Sequence, residues 1–119
     1  MGDAVIVSTA RTAIGTAYKG TLVDVDAIEL GTQAVAEAVR RSKLDPALID
    51  DVVLGETLYG GGDVARLAAI ESGIEHVPGV AMNRHCASGL TAVTTAADGI
   101  MAGMDRAAVA GGTQSSSLM

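Results

Sequence analysis

The order of strand and helix signals along this chain predicts an α/β fold, with a largely parallel or mixed sheet and helices on both faces. Three observations carry that reading. Extended apolar runs alternate with helix signals from one end of the chain to the other. The runs are apolar on nearly every residue, as in strands covered on both faces, rather than alternating between wet and dry. The composition is small-sided: 49% of the 119 residues are hydrophobic, 15 are glycine, and there is no Phe or Trp, so closely approaching helices and strands fill one core.

The first run, Ala4 to Thr9 (Ala-Val-Ile-Val-Ser-Thr), reads as a buried strand. A turn region follows around Gly15 to Gly20, and then Asp26 as N-cap with Glu29 three residues on announces a helix. Its inner face is predicted as Val25, Ile28, Thr32, Val35 and Val39, with Glu29, Gln33, Glu37, Arg40 and Arg41 largely opposite. Asp45-Pro46 marks a short helical turn, since Pro suits the first helical position and Asp caps it. Val52 to Gly55 is the second strand, and Gly60-Gly61-Gly62 a loop. Asp63 caps a helix running to about Ser72, closed by Gly73. Val77 to Arg84, kept out of helix by Pro78, is a third extended stretch leading straight into Cys86-Ala87-Ser88-Gly89. Leu90, Val93, Ala97, Ile100 and Met101 then recur at helical spacing up to Gly103, in a helix so apolar that burial on most sides is expected. Arg106 to Gly112 is the fourth strand, and Ser115-Ser116-Ser117-Leu118-Met119 follows it without polar closure, which reads as a fragment of a longer fold.

The formal charge of −6 and the scatter of the eight Lys and Arg argue against a nucleic-acid surface. The one basic group, Arg40, Arg41 and Lys43, suits a helix C-terminus complementing its dipole. A single cysteine leaves no internal disulfide framework and no metal cluster built on several thiols. With no long uninterrupted apolar stretch and no positively charged start at Met1-Gly2-Asp3, neither a membrane span nor a secretory signal is expected, and the default compartment is the cytoplasm.

Cys86 stands where a strand gives way to a helix, so unpaired backbone N–H groups and the positive end of the helix dipole favour its thiolate. The dipole contributes up to about 2 kcal/mol, or about 1.5 pKa units, which leaves a need for a separate base. His85 is adjacent, but neighbours on an extended strand face opposite ways; His76 lies in a polar turn beside Glu75 and reads as exposed. Arg84 is placed either to raise the positive potential at Cys86 or in an ion pair at an interface. Ala87, Ser88 and Gly89 are small enough for a substrate carbonyl to approach, and backbone N–H groups there suit an oxyanion. On these residues alone Cys86 reads equally as a reactive thiol or as buried filler.

The segment Asn83-Arg84-His85-Cys86-Ala87-Ser88-Gly89-Leu90, followed by Ala92-Val93, resembles the nucleophile motif of thiolases. Ala10 to Gly15 with Lys19 to Leu22, Ala65-Arg66, and Ala110-Gly111-Gly112 are similar to further family segments in the same order, so the resemblance covers nearly the whole chain. It implies a thiolase-like layered αβα fold of which residues 1–119 are the N-terminal domain, incomplete, with the loop region and C-terminal half absent. It also implies that Cys86 is the catalytic nucleophile, accepting an acyl group from an acyl-CoA or 3-ketoacyl-CoA, and that coenzyme A or an acetyl-CoA carbanion resolves the acyl-enzyme. Coenzyme A and acyl-CoA enter as substrates, with no covalently bound cofactor and no metal. The expected partners are the remainder of the thiolase fold, in the same or a separate chain, and further copies in a dimer or tetramer, with neither nucleic acid nor membrane. The family's histidine motifs and second catalytic cysteine have no counterpart in the chain, so this segment alone is expected to be inactive. Gln114 and Ser116 stand where Glu and Met are usual, and Gly61-Gly62-Asp63-Val64 has Asp63 where Asn is more common; both imply a local departure. A ketoacyl synthase-type condensing enzyme and a non-catalytic thiolase-like assembly or ligand-binding module are the alternatives.

Overall fold

The structure, a computed structural model, describes residues 2–58 and 61–119. Helix α1 (Ala27–Ser42) is followed by a 3-10 turn (Pro46–Leu48), strand β1 (Ile49–Gly55), helix α2 (Val64–Glu71), strand β2 (Gly79–Met82), helix α3 (Ser88–Met101), strand β3 (Ala107–Gly112) and a second 3-10 turn (Ser116–Leu118). The sheet has the order β2-β1-β3 with both pairings parallel, so that Val52 lies beside Gly79 on one flank and Val109 on the other.

The caps expected from the sequence are in place. Asp26 accepts from the Glu29 N–H at 2.8 Å, Asp45 from Ala47 at 3.0 Å and Asp63 from Arg66 at 3.1 Å. Gly73 closes α2 with a left-handed φ of 89°. Of the expected triple-glycine loop, Gly61 and Gly62 both have positive φ, while Gly60 lies outside the described residues.

The central strand organises two cores. Val52 and Leu54 face α1 and α2, where Val35, Ala65 and Ala68 are buried with them; Val53 faces the opposite way onto Ala92 and Ala96 of α3. The period of two thus gives a three-layer αβα unit from one apolar strand. Burial of each of these β1 side chains contributes about 1.5–3 kcal/mol. α2 approaches β2 so closely that a Cβ at Gly79 would fall on the backbone of Ala65 and Arg66. The Arg66 guanidinium then holds the connection by donating to the carbonyls of Glu75 and Val77 at 2.7 and 2.9 Å.

Three expectations need correction. Ala4 to Thr9 is not a strand: it has no regular structure, and Val5, Ile6 and Val7 are 74%, 74% and 60% exposed. β character becomes a strand only by pairing, and among the described residues no strand is hydrogen-bonded to this segment. It is tied instead to α1, through Ser8 Oγ donating to the Ala38 carbonyl and Arg41 donating to that of Thr9. Helix α3 is covered on one stripe only, with Ser88, Ala92 and Ala96 buried and Leu90, Thr94 and Thr95 exposed, because it meets the sheet on one side and no described element on the other. On α1 the deepest residues are Ala27, Gly31 and Val35, with Ile28 and Val39 only partly buried. The helix has turned its smallest residues inward, and a Cβ at Gly31 would meet the Thr113 methyl at 3.1 Å.

Candidate active site

The C-terminal ends of parallel strands are where open α/β sheets gather ligands, and the sequence there builds a stiff turn. After β2, Asn83 Oδ1 accepts from the His85 N–H at 2.9 Å, and His85 takes a left-handed φ of 48°. The buried Ser88 hydroxyl accepts from the Arg84 N–H and donates to the His85 carbonyl, both at 2.7 Å. The Ala87 and Ser88 N–H groups bond back to the carbonyls of Arg84 and His85. Around this turn the N–H groups of residues 84, 85, 87 and 88 therefore all have acceptors, whereas that of Cys86 has none among the described residues.

Cys86 is exposed and free, two residues before the start of α3. Its placement corrects the reading of the thiol as buried filler. Beside it opens a cleft of about 260 Å³. Gly55 from β1, Gly112 from the end of β3, Gln114 from the segment after it, His85 and Cys86 from the turn, and Gly89 from α3 contribute to its lining. Close approach of the two layers makes that geometry possible: a Cβ at Gly55 would lie 2.9 Å from Ser88 Cβ and 3.0 Å from the Gly89 nitrogen. Thr113 anchors the end of β3 by donating to the Ala27 carbonyl at 2.7 Å.

His85 shares the cleft with Cys86. The expectation that it faces away rested on an extended backbone, and the left-handed residue abolishes the alternation. No hydrogen bond joins the two side chains among the described residues. Arg84 is exposed and does not line the cleft, and His76, also exposed, bonds through Nε2 to the Pro46 carbonyl at 3.1 Å. Sequence reasoning gave Gln114 as a departure but not its contacts: its amide oxygen accepts from Thr57 Oγ1 at 3.1 Å and the Leu58 N–H at 3.3 Å. Thr57 and Thr113 carried no sequence signal, since each is placed only by the meeting of β1 and β3.

Arg106 holds the Asp50 carboxyl at about 2, and Arg40 with Arg41 holds Glu37 at about 2, while burial pushes Asp51 up. Asp50 and Asp51 sit at the opposite end of β1 from the cleft. Among the described residues no group of three His, Cys, Asp or Glu is arranged to hold a metal ion.

The fold and the turn define a class: a parallel-sheet αβα unit whose one cysteine is presented at a strand-to-helix turn. The family model for "Thiolase, N-terminal domain" matches residues 4–119, and the chain belongs to the thiolase family as an N-terminal segment. It is 41% identical to the acetyl-CoA acetyltransferase of Escherichia coli (strain K12) over 99% of this chain and 30% of that protein. To the peroxisomal 3-ketoacyl-CoA thiolase B of Candida tropicalis it is 36% identical, over 97% and 29%. The crystal structure of Bacillus anthracis acetyl-CoA acetyltransferase superposes with a TM-score of 0.89 at 36% identity, over 94% of this chain and 29% of that one. The chain thus spans about 30% of the length of the curated relatives it matches.

Proposed function

We propose that this chain supplies the nucleophile of an acyl-CoA C-acyltransferase, with Cys86 taking up the acyl group. One observation carries the reading: an exposed thiol at the mouth of a cleft, in the turn that leads into a 14-residue helix, with its own backbone N–H unpaired among the described residues. Cys86 Sγ, as thiolate, attacks the thioester carbonyl of an acyl-CoA. The carbonyl oxygen gains negative charge and takes a hydrogen bond from the Cys86 N–H. Collapse breaks the bond to the coenzyme A sulfur, which leaves carrying the proton that Cys86 gave up, and the acyl group remains as a Cys86 thioester. Coenzyme A or the carbanion of acetyl-CoA then accepts it, giving cleavage or condensation of a 3-ketoacyl-CoA.

Positioned acid–base help is worth about 10²–10⁴-fold. Among the described residues His85 is the one other titratable side chain lining the cleft, and it is not bonded to the thiol. The same reading therefore assigns the remaining acid–base groups to the rest of a thiolase fold, in this or another chain, and expects the 119-residue chain to turn over no substrate. A cytoplasmic setting and assembly as a dimer or tetramer belong to the proposal too; the single unpaired thiol supports the former.

Intact-mass measurement after exposure to acetyl-CoA, on this segment within its whole polypeptide, tests the assignment. An acetyl adduct that Cys86→Ala lacks is expected. An adduct retained in the Ala variant refutes the nucleophile, and no adduct in either protein favours a non-catalytic module.

A further inference from the structure

We propose that Gln114 is a positioning residue that sets the electrostatics of the Cys86 cleft, keeping its wall neutral while pinning the segment after β1. The orientation of its amide follows from one partner. The Leu58 N–H is a donor only, so the atom facing it at 3.3 Å is the amide oxygen, which also takes the Thr57 hydroxyl at 3.1 Å. The amide nitrogen, which donates to no acceptor among the described residues and is not among the buried unpaired polar atoms, is then on the open side of a side chain that lines the cleft. The wall contributed by residue 114 therefore carries no net charge.

The charges around Cys86 give this neutrality consequence. Among the described residues His85 is the other titratable group lining the cleft, and Arg84 lies next to it on the turn. From the end of β1, Glu56 is turned away and accepts from the Val64 N–H at the start of α2, at 2.6 Å. β3 carries no charged residue from Ala107 to Gly112, and Asp98 of α3 lies about 15 Å along the helix from Ser88. Among the described residues no carboxylate lines the cleft. A negative charge at position 114 would be the first, and it would oppose formation of the thiolate.

The inference rests on the reading of Cys86 as the working thiol, and the experiment separates the two. The rate of Cys86 alkylation by iodoacetamide is measured against pH for the native chain, Gln114→Glu and Gln114→Leu, with exchange of the Leu58 amide hydrogen followed by NMR. Gln114→Glu keeps both acceptor bonds and adds charge: the upper midpoint of the profile is expected to rise by half a unit or more, an at least threefold slower reaction at pH 7, with Leu58 still protected. Gln114→Leu removes the acceptor without charge: the midpoint stays in place and Leu58 exchanges faster. A Gln114→Glu profile that coincides with the native one overturns the proposal. So does unchanged Leu58 exchange in Gln114→Leu, or loss of the fold in Gln114→Glu by circular dichroism, since a carboxylate satisfies the same donors. Alkylation needs no coenzyme A, so an absent acetyl adduct with this shift present refutes the transferase reading alone.

Discussion

Ser88→Ala removes the hydroxyl that closes the Cys86 turn and changes little else. The side chain is 3% exposed, and its Cβ, which packs against Gly55, is retained. Two hydrogen bonds of 2.7 Å are lost, one from the Arg84 N–H and one to the His85 carbonyl. The His85 carbonyl keeps the Ser88 N–H as partner, but the Arg84 N–H loses the one acceptor it has among the described residues. At about 1 kcal/mol per hydrogen bond the loss is about 2 kcal/mol, and the better helix propensity of Ala returns about 0.5 kcal/mol at most. For a chain of this size each kcal/mol is about 3–6 °C, so Tm is expected to fall by about 5–12 °C in a thermal melt followed by circular dichroism. Gly89→Ala is the control one residue on: nothing lies within 4 Å of its added Cβ, so it is expected to be neutral or stabilising by up to about 1 kcal/mol. A Ser88→Ala protein within 0.5 kcal/mol of native in urea denaturation would refute the account of the turn, that threshold being about the usual scatter of a surface change.

Gly55→Ala is expected to cost about 1–3 kcal/mol in the same urea titration, because its Cβ would lie 3.0 Å from the backbone of Ser88 and Gly89 at the start of α3. Asp51 is raised above its ordinary 3.8, first by burial and then by Asp105 and Asp63. A carboxyl so raised favours the native state in its protonated form and loses that contribution as pH rises, so Asp51→Asn should stabilise the chain at pH 7 with the gain vanishing below about pH 4. Asp50 has the opposite sign: held at about 2 by Arg106, it contributes above its ordinary 3.8 and loses that contribution as pH falls towards 2. Arg106→Ala should therefore move the acid-unfolding limb to higher pH, slightly, since the pair is open to solvent.

Legibility in the sequence followed the range of the interactions. Asp26, Asp45 and Asp63 cap as expected because a cap is settled within three residues, and the left-handed Gly73 is equally local. β1 was legible because its whole apolar run is enclosed. Ala4 to Thr9 has the same composition and the opposite fate, since a strand also needs a neighbour and composition does not name one. At the site, the cysteine and the small residues after it were legible from the turn, but the direction of His85 was not. Its left-handed backbone is imposed by Asn83 on one side and Ser88 on the other, a closure that strand alternation does not contain. Gln114 illustrates the longest range: its partners Thr57 and Leu58 lie more than fifty residues away, and only the register of β1 against β3 brings them together.

The unpaired first segment leads to a last expectation about the 119-residue chain by itself. Val5, Ile6 and Val7 are β-branched, consecutive and mostly exposed, a combination that favours pairing between chains. Because Ile6 is 74% exposed it contributes little to native packing, and Ile6→Lys should leave Tm within the scatter of a surface change, about ±0.5 kcal/mol. The charge should nonetheless suppress association, since a Lys on an unpaired extended edge is a device by which proteins block strand addition. Sedimentation velocity over a concentration series separates the two properties. The native chain is expected to move to heavier species as concentration rises, while Ile6→Lys stays monomeric with the same melt. A native chain that remains monomeric wherever the Lys variant does would show that the exposed run is harmless. A variant that melts much lower would show that Ile6 packs against the body of the chain, and the segment would then be held by more than its ties to Ala38 and Arg41.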